Sequence, residues 1–229
     1  MRVVDHERFS GVYWARTPTG RELVTRNLAP GVSVYGERLL SWRGVEYRAW
    51  NPFRSKLASA ILNGVSEIFI RPGSRVLYLG VATGTTASHV SDIVGSQGIV
   101  FGVDFSPSAM AQFRRKLSMF RPNVVPVLAD ARDPTKYSSL VGTVNVLYCD
   151  VAQPTQAAIL GDNAQAMLRR GGHAVLALKA RSIDSVAPPS KLFNREVRFL
   201  EDRRLEILER IILEPYQRDH VMVIARFSG

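Results

Sequence analysis

The sequence predicts a doubly wound α/β domain with a seven-stranded, Rossmann-like sheet, preceded by a small antiparallel β domain. From about residue 72 onward, apolar runs of strand length alternate with segments of helix length, as in a parallel sheet with crossover helices. The last two strand-like runs are joined by only six residues, which are too few for a crossover helix. These two runs should form a hairpin that places one antiparallel strand in an otherwise parallel sheet.

The N-terminal part of the chain has a different pattern. Short runs with β character are separated by turn residues, which predicts a small antiparallel sheet with strands at 12–15, 22–28, 37–41 and 45–50. Asn51-Pro52 then ends the last strand and begins a helix predicted over residues 53–69, because proline is favourable at a first helical position. We therefore divide the chain into a β domain of residues 1–52 and a second domain of residues 53–229.

The alternation after residue 72 predicts each element of the second domain. Strands are expected at 75–79, 99–103, 124–129, 144–149, 173–179, 206–213 and 220–227. Helices are expected at 85–94, 107–120, 154–170 and 191–203. Ser106 suits the N-cap of the second of these helices, and Gly171-Gly172 is expected to end the third.

The composition is that of an ordinary folded protein, with 46% hydrophobic and 22% charged residues in 229. The apolar runs are no longer than strands, so no membrane span is expected. Residues 1–10 mix charged and apolar side chains, unlike a secretory leader, and we expect a cytoplasmic protein. The single cysteine, Cys149, excludes an internal disulfide framework and is expected to be buried and unreactive.

The net charge of +10 indicates a polyanionic partner, and nucleic acid is the commonest one. The alternative is that the basic residues bind nothing. They are spread along the chain and most are arginine, which also suits surface ion pairs in a heat-adapted protein. Charge alone leaves these two interpretations open.

Charged and small residues follow the predicted strands, where a doubly wound sheet binds its ligands. Four of the five parallel strands end in a charged residue, a regularity that a purely structural sheet does not require. The candidate residues at these ends are Gly80, Ala82, Gly84, Thr85 and Thr86, then Asp104 and Phe105, then Asp130 and Ala131, then Asp150, Val151, Ala152 and Gln153, and finally Lys179.

Three of these strand ends indicate S-adenosylmethionine as the cofactor. Gly80 and Gly84 let the backbone approach a ligand, and Asp104 can accept both hydroxyls of an adenosine ribose. Nicotinamide enzymes share that logic, but this loop lacks the G-x-G-x-x-G spacing that holds a pyrophosphate. Asp130 can accept from an adenine amino group, and Phe105 can pack on the ring. We therefore predict a methyltransferase with the class I fold.

At this point the sequence resembles the fibrillarin family, the 2′-O-methyltransferases of box C/D guide ribonucleoproteins. The resemblance rests on the segments YRAWNPFRSKL at 47–57, GVATGTTASHVSDIVG at 80–95, YCDVAQPTQA at 148–157, LKARSID at 178–184 and EPYQRDH at 214–220. No Gly/Arg-rich N-terminal extension is present, so the chain is similar to the short archaeal form. Asp104 departs from the glutamate that is more usual in the family, which puts cofactor affinity in question.

The resemblance implies a catalytic set of Lys56, Asp150, Lys179 and His220. The residues support it in part, because Asp150 and Lys179 end adjacent predicted strands and should pair above the sheet. Each residue also has a plainer interpretation. Asp150 could bind only the cofactor's amine, the two lysines could be solvated surface residues, and His220 could cap or pack at a strand start.

The resemblance also implies partners: a guide RNA, a target rRNA or tRNA, a Nop-type scaffold protein and a kink-turn-binding ribosomal-type protein. Arg54 and Arg181, which neighbour the catalytic lysines, are candidate contacts to the RNA backbone. His89 and His173 are interpreted as structural because neither belongs to a cluster, and no metal site is predicted. Two rival functions stay open: methylation of a protein glutamine or a small molecule, and a non-catalytic assembly subunit.

Overall fold

Two β-sheets, one of five strands and one of seven, form the framework of the protein. The structure, a computed structural model, describes residues 1–18, 20–184 and 188–229. The strands are β1 (Arg2–Asp5), β2 (Val12–Thr17), β3 (Gly20–Arg26), β4 (Leu39–Trp42), β5 (Val45–Ala49), β6 (Arg75–Leu79), β7 (Ile99–Asp104), β8 (Val124–Leu128), β9 (Val144–Cys149), β10 (Leu168–Lys179), β11 (Leu205–Ile212) and β12 (His220–Phe227). The helices are α1 (Lys56–Leu62), α2 (Thr85–Val94), α3 (Pro107–Lys116), α4 (Ser138–Val141), α5 (Gln156–Met167), α6 (Ala180–Ile183) and α7 (Pro189–Glu201).

The large sheet has the order β11-β12-β10-β9-β6-β7-β8. Strands β6 to β10 are parallel, whereas β12 runs antiparallel to both β10 and β11. This is the doubly wound sheet of seven strands that the alternating pattern predicts, and the terminal hairpin supplies its one antiparallel strand. The fold prediction is therefore confirmed.

The small sheet is antiparallel, as predicted, with the order β1-β2-β3-β5-β4. The predictions missed β1, whose residues mix charged and apolar types. The run predicted at 37–41 begins outside the sheet, where the Glu37 carboxylate accepts the backbone N–H groups of Val34 at 3.0 Å and Tyr35 at 2.8 Å. The strand therefore starts only at Leu39.

The helix predicted over residues 53–69 is wrong in length. A single 3₁₀ turn, Pro52–Arg54, is separated from α1 by Ser55, which has an extended backbone at φ −143° and caps α1 through its hydroxyl. The cap by Asn63 and the positive φ of Gly64 end the helix after two turns. This break makes Lys56 the first residue of a helix.

Other boundaries differ by a few residues. The helix predicted at 154–170 ends at Met167, because Leu168 already pairs with Val144 in the sheet. A shift of register between Leu168 and His173 accommodates the two glycines that were expected to end the helix. The helix predicted at 107–120 ends at Lys116 and is followed by a separate 3₁₀ turn.

The core lies on both faces of the large sheet. One face packs against α5 and α7, and Cys149 is buried there with the pKa of its thiol raised to about 12, as an unreactive thiol requires. The other face packs against α1, α2 and the small sheet, so apolar residues such as Trp14 of β2 and Val90 of α2 belong to one continuous cluster. The domain boundary at residue 52 stays a prediction. One hydrophobic cluster contains residues from both sides of this boundary.

A buried ionic network joins the small sheet to α2. Arg48 of β5 donates to Glu37 at 2.7 Å, to Asp92 of α2 at 2.8 Å and to Ser88 at 2.8 Å. Arg121 donates to the other oxygen of Asp92. The side chains of both arginines and both carboxylates are at most 1% exposed, and their charges balance. Neutrality and near-complete hydrogen bonding make this burial tolerable.

His89 lies beside this network, which corrects the expectation that it belongs to no cluster. Thr25 donates to Asp92, so the Nδ1–H of His89 donates to the Thr25 hydroxyl, and the phenol of Tyr35 is within 2.8 Å of Nε2. Burial holds the pKa of His89 well below its ordinary value, and Arg48 lowers it further. The ring is therefore neutral, and its role is structural, as interpreted.

Replacing Asp92 by asparagine should destabilise the fold strongly, because two buried arginines lose their shared counter-ion. Breaking a buried pair in this way costs about 3–5 kcal/mol, which urea unfolding followed by circular dichroism would measure. Glu206→Gln is the matched control, since the pair of Glu206 with Arg226 is more than half exposed and should contribute under about 1 kcal/mol. Equal losses in the two variants would contradict this account.

Candidate active site

The carboxyl ends of the parallel strands bring the predicted site residues to one edge of the large sheet. Asp150 follows β9, Lys179 ends β10, and His220 begins β12 directly opposite Lys179 in the antiparallel register. Gly80 follows β6, and Asp104 ends β7. Polar residues that are far apart in the sequence therefore line one shallow region, as the strand-end pattern predicts.

The loop between β6 and α2 lies directly against the segment that follows β9. Gly80 has φ +80°, and a Cβ at this position would lie 2.6 Å from the carbonyl oxygen of Asp150. Gly84 has φ +96°, with the ring of Phe113 only 3.0 Å from where its Cβ would be. Ala82 adopts φ +48°, an uncommon conformation for a residue other than glycine. Glycine is thus required at 80 by both conformation and space.

Asp104 is held in place by the loops on both sides of it. Its carboxylate accepts the backbone N–H of Ala82 at 2.8 Å and that of Ser106 at 2.9 Å. Each carboxylate oxygen retains a lone pair for a further donor. The side chain is therefore fixed as an acceptor for a ligand's hydroxyl groups.

A cavity of about 270 Å³ lies between Asp104 and Asp150, and its walls are mainly apolar. Phe105 stands beside it with 64% of its surface exposed, so the ring is free to pack on a planar group. The buried Oε1 atom of Gln153 has no hydrogen-bond partner among the described residues and can accept a donor from a ligand. The lining residues are Gly80, Ala82, Val103, Asp104, Phe105, Ala131, Asp150, Val151, Ala152 and Gln153.

Four residues of the predicted cofactor site lie outside this lining. Gly84 and Thr85 form the start of α2, and the Thr86 hydroxyl donates to Ser55 at 3.0 Å. The carboxylate of Asp130 is bound by Arg132, which also lowers its pKa, and Ala131 occupies the cavity wall beside it. Conversely, Val103 lines the cavity and was not predicted, because an apolar strand residue carries no signal of its own.

Asp150 forms an ion pair with Lys56, with Nζ at 2.7 Å from Oδ1 and 3.0 Å from Oδ2. The expected partner was Lys179, so this prediction is corrected: Lys179 acts on Asp150 only through its charge. Burial raises the pKa of Asp150 above its ordinary value, although both lysines act in the opposite direction. The carboxylate is therefore a better proton acceptor than a solvated aspartate.

The two remaining candidates are also fixed in position. The backbone of Lys179 is bound by Gln156, whose Oε1 accepts the Lys179 N–H at 2.9 Å. The Nδ1 atom of His220 lies 2.6 Å from the carbonyl oxygen of Arg218, which can only accept, so Nδ1 carries the proton. Burial lowers the pKa of His220, and the charges of Lys56 and Lys179 lower it further. The ring is therefore neutral, with Nε2 as an acceptor.

The two candidate RNA contacts, Arg54 and Arg181, have different partners within the protein. Arg181 is 46% exposed and binds Asp219 at 3.2 Å, a partner that the sequence did not indicate. Arg54 is exposed, donates to the carbonyl oxygen of Tyr35 at 3.1 Å and lies over its ring at 5.0 Å. Within the described residues, no group of three or more His, Cys, Asp and Glu could hold a metal ion. Over the same residues, no helix has the length and hydrophobicity needed to cross a membrane.

Removing the charge of Lys56 should raise the pKa of Asp150 further. Lys56 stabilises the carboxylate, so in Lys56→Gln only burial and the more distant Lys179 act, and protonation should begin at higher pH than in the unaltered protein. Carbon-13 NMR of the aspartate carboxyl carbons across pH would measure this. Lys136→Gln, at an exposed pair with Asp133, is the control and should leave the Asp150 signal unchanged. A lower or equal pKa in Lys56→Gln would contradict the assignment.

Known proteins are similar to this chain over nearly its whole length. The fibrillarin-like rRNA/tRNA 2′-O-methyltransferase of Pyrobaculum calidifontis is 52% identical over 228 residues, which cover 99% of this chain and 97% of that protein. The protein of the same name from Methanopyrus kandleri is 50% identical, covering 100% of this chain and 99% of its own.

Solved structures agree with the fold. Aeropyrum pernix fibrillarin, in complex with natively bound S-adenosyl-L-methionine, is 48% identical and superimposes with a TM-score of 0.92 over 98% of each chain. The fibrillarin of a fibrillarin/Nop5p complex is 40% identical, with a TM-score of 0.86 over 97% of this chain and 100% of that one. A family model described as Fibrillarin matches residues 3–229. The chain therefore belongs to the fibrillarin family.

Proposed function

We propose that the protein transfers a methyl group from S-adenosylmethionine to a ribose 2′-oxygen of guide-selected rRNA or tRNA, within a box C/D ribonucleoprotein. The observation that carries the proposal is the Lys56–Asp150 ion pair at the edge of the cavity that Asp104 also lines. Two further supports are the bound S-adenosyl-L-methionine in the Aeropyrum pernix fibrillarin and the names of the curated relatives.

The cavity fits this cofactor on its own geometry. Asp104 would accept the ribose hydroxyls, Phe105 would pack on the adenine, and the unpartnered Oε1 of Gln153 would accept a donor. Because Gly80 approaches the backbone of Asp150 closely, the loop that would hold the cofactor lies next to the carboxylate that would hold the acceptor hydroxyl. When bound, S-adenosylmethionine supplies a methyl group on a sulfonium, which is a good leaving group.

The catalytic residues act on the acceptor hydroxyl. The carboxylate of Asp150 orients the 2′-hydroxyl and accepts its proton late in the attack, a task that its raised pKa favours. The positive charges of Lys56 and Lys179 lower the cost of negative charge on the oxygen. Neutral His220 offers Nε2 as an additional acceptor beside them. Positioning of the hydroxyl in line with the methyl should supply most of the rate.

We also propose the partners that this activity requires. The guide RNA selects the nucleotide, and the chain, with its net charge of +10, contributes contacts to phosphates, with Arg54 and Arg181 among them. A Nop-type scaffold, supported by the solved fibrillarin/Nop5p complex, and a kink-turn-binding protein position the RNA. The isolated chain should therefore be almost inactive. Its archaeal relatives and RNA substrate suggest a cytoplasmic site of action.

Methyl transfer to a guide-paired RNA tests the proposal. The reconstituted particle and labelled S-adenosylmethionine should label a ribose target, whereas a target with a 2′-deoxy at the predicted nucleotide should stay unlabelled. Asp150→Asn should lower the rate about 10²-fold or more, the usual size of a general acid–base contribution. Equal labelling of both targets would move the acceptor to a base or a protein side chain. No labelling with cofactor still bound would leave a non-catalytic assembly role.

Asp104→Asn tests the cofactor site separately. Asparagine can still accept through one oxygen, but the charged acceptor is lost, so binding of S-adenosylmethionine should weaken about 10- to 100-fold, as for a charge-assisted hydrogen bond. Isothermal titration calorimetry of the chain would measure this. Asp162→Asn, at a surface pair with Arg203, is the control and should bind normally. Normal binding by Asp104→Asn would remove Asp104 from the site.

A further inference from the structure

A second and larger cavity, of about 550 Å³, lies between the small sheet and the 3₁₀ turn that precedes α1. It shares no lining residue with the predicted cofactor cavity. We call it the arginine–aromatic pocket and define it by its functional side chains, which are Arg21, Tyr35, Arg38, Phe53, Arg54 and Tyr216. None of these residues except Arg54 has a role in the proposed reaction.

The aromatic side of the pocket is accessible. Phe53 is 66% exposed, so its ring is open to a ligand. Its ring meets that of Tyr216 edge to face, with centroids 5.3 Å apart, and one face of Phe53 is left without an aromatic partner among the described residues. The guanidinium of Arg54 lies 5.0 Å from the centre of the Tyr35 ring. Such surfaces stack planar groups.

The charge of the pocket is positive. Its two lining carboxylates are already neutralised, Glu22 by Arg38 and Glu37 by the buried Arg48. Arg54 contacts no carboxylate within the described residues, and the nearest carboxylate oxygen to Arg21 is 3.9 Å away, on an exposed Glu7. The pocket therefore offers positive charge beside an exposed ring, which suits an anionic ligand with a planar group.

The pocket lies near the proposed catalytic centre because the two share one short segment of the chain. Arg54 is two residues before Lys56, so their Cα atoms are at most about 7 Å apart. The side chain of Gln217 donates to the carbonyl oxygen of Pro52 at 2.8 Å, which holds the Tyr216 loop against the same turn. A ligand chain that passes Lys56 would reach the pocket with its next units.

We propose that the arginine–aromatic pocket binds an unpaired nucleotide of the RNA near the methylated ribose, with its base on Phe53 and its phosphate at Arg54 or Arg21. Stacking on exposed aromatic rings beside arginines is how proteins hold single-stranded nucleic acid without reading its sequence. This inference rests on the proposed function. A protein partner is disfavoured because the rings of Phe53 and Tyr216 lie among charged side chains, whereas the centre of a protein interface is depleted of charge.

Crosslinking in the reconstituted particle tests the pocket directly. A single 5-iodouridine is placed at successive positions around the acceptor nucleotide, in the target RNA in one arm and in the guide RNA in the other. We expect one position to crosslink to the peptide that contains Phe53 or Tyr216, and the arm in which it occurs identifies the strand. Crosslinks at no position to these peptides would overturn the proposal.

Kinetics of the variants give a second readout. Phe53→Ala and Arg21→Gln should each raise the KM for target RNA, Phe53→Ala by about tenfold as for loss of one stacked base, with little change in kcat or in S-adenosylmethionine binding. Phe120→Ala is the matched control, because this ring is 48% exposed and lies in a different part of the chain. An unchanged KM in both pocket variants would overturn the proposal. It would also be overturned if the pocket variants no longer bound the scaffold protein but still crosslinked normally to the RNA. Absence of methyl transfer in the unaltered particle would instead count against the proposed function, since crosslinking does not require it.

Discussion

The fold depends on the buried ionic network of Arg48, Asp92 and Arg121. It is the polar connection between the small sheet and α2, and α2 begins at the loop that lines the cofactor cavity. Because a buried charge without its partner is so costly, moving the small sheet away from α2 would carry a large penalty. The turn that leads from β5 to α1 therefore delivers Lys56 to Asp150. An apolar contact of the same area would fix this position less strictly, since it has no directional requirement.

The second constraint is the close approach of Gly80 to the carbonyl oxygen of Asp150. It joins the proposed cofactor cavity and the proposed catalytic carboxylate into a single region, so the methyl donor and acceptor would need little reorganisation to meet. The pKa of Asp150 is raised by burial of its carboxylate, although the charges of Lys56 and Lys179 lower it.

Much of the site could be predicted from sequence because parallel strands place their carboxyl ends together. Asp104, Asp150 and Lys179 were found from that rule alone, and the glycine loop from its spacing. Lys56 and His220 were different, since Lys56 lies in a helix before the first strand of the large sheet and His220 begins an antiparallel strand. Only resemblance to a family indicated them. The partner of Asp150 was predicted wrongly, because adjacency of strands does not decide which of two lysines has the better approach.

The sequence by itself determined the alternation of strands and helices and the antiparallel hairpin, because these follow from hydrophobic periodicity and residue type over short windows. It also predicted most of the residues that line the proposed cofactor cavity. Only the tertiary structure decided the Lys56–Asp150 pair and the placing of Arg48 in the core. Each of these depends on contacts between side chains brought together by packing. Such contacts cannot be predicted from local sequence, since they join residues far apart in the chain and form only when the elements pack together.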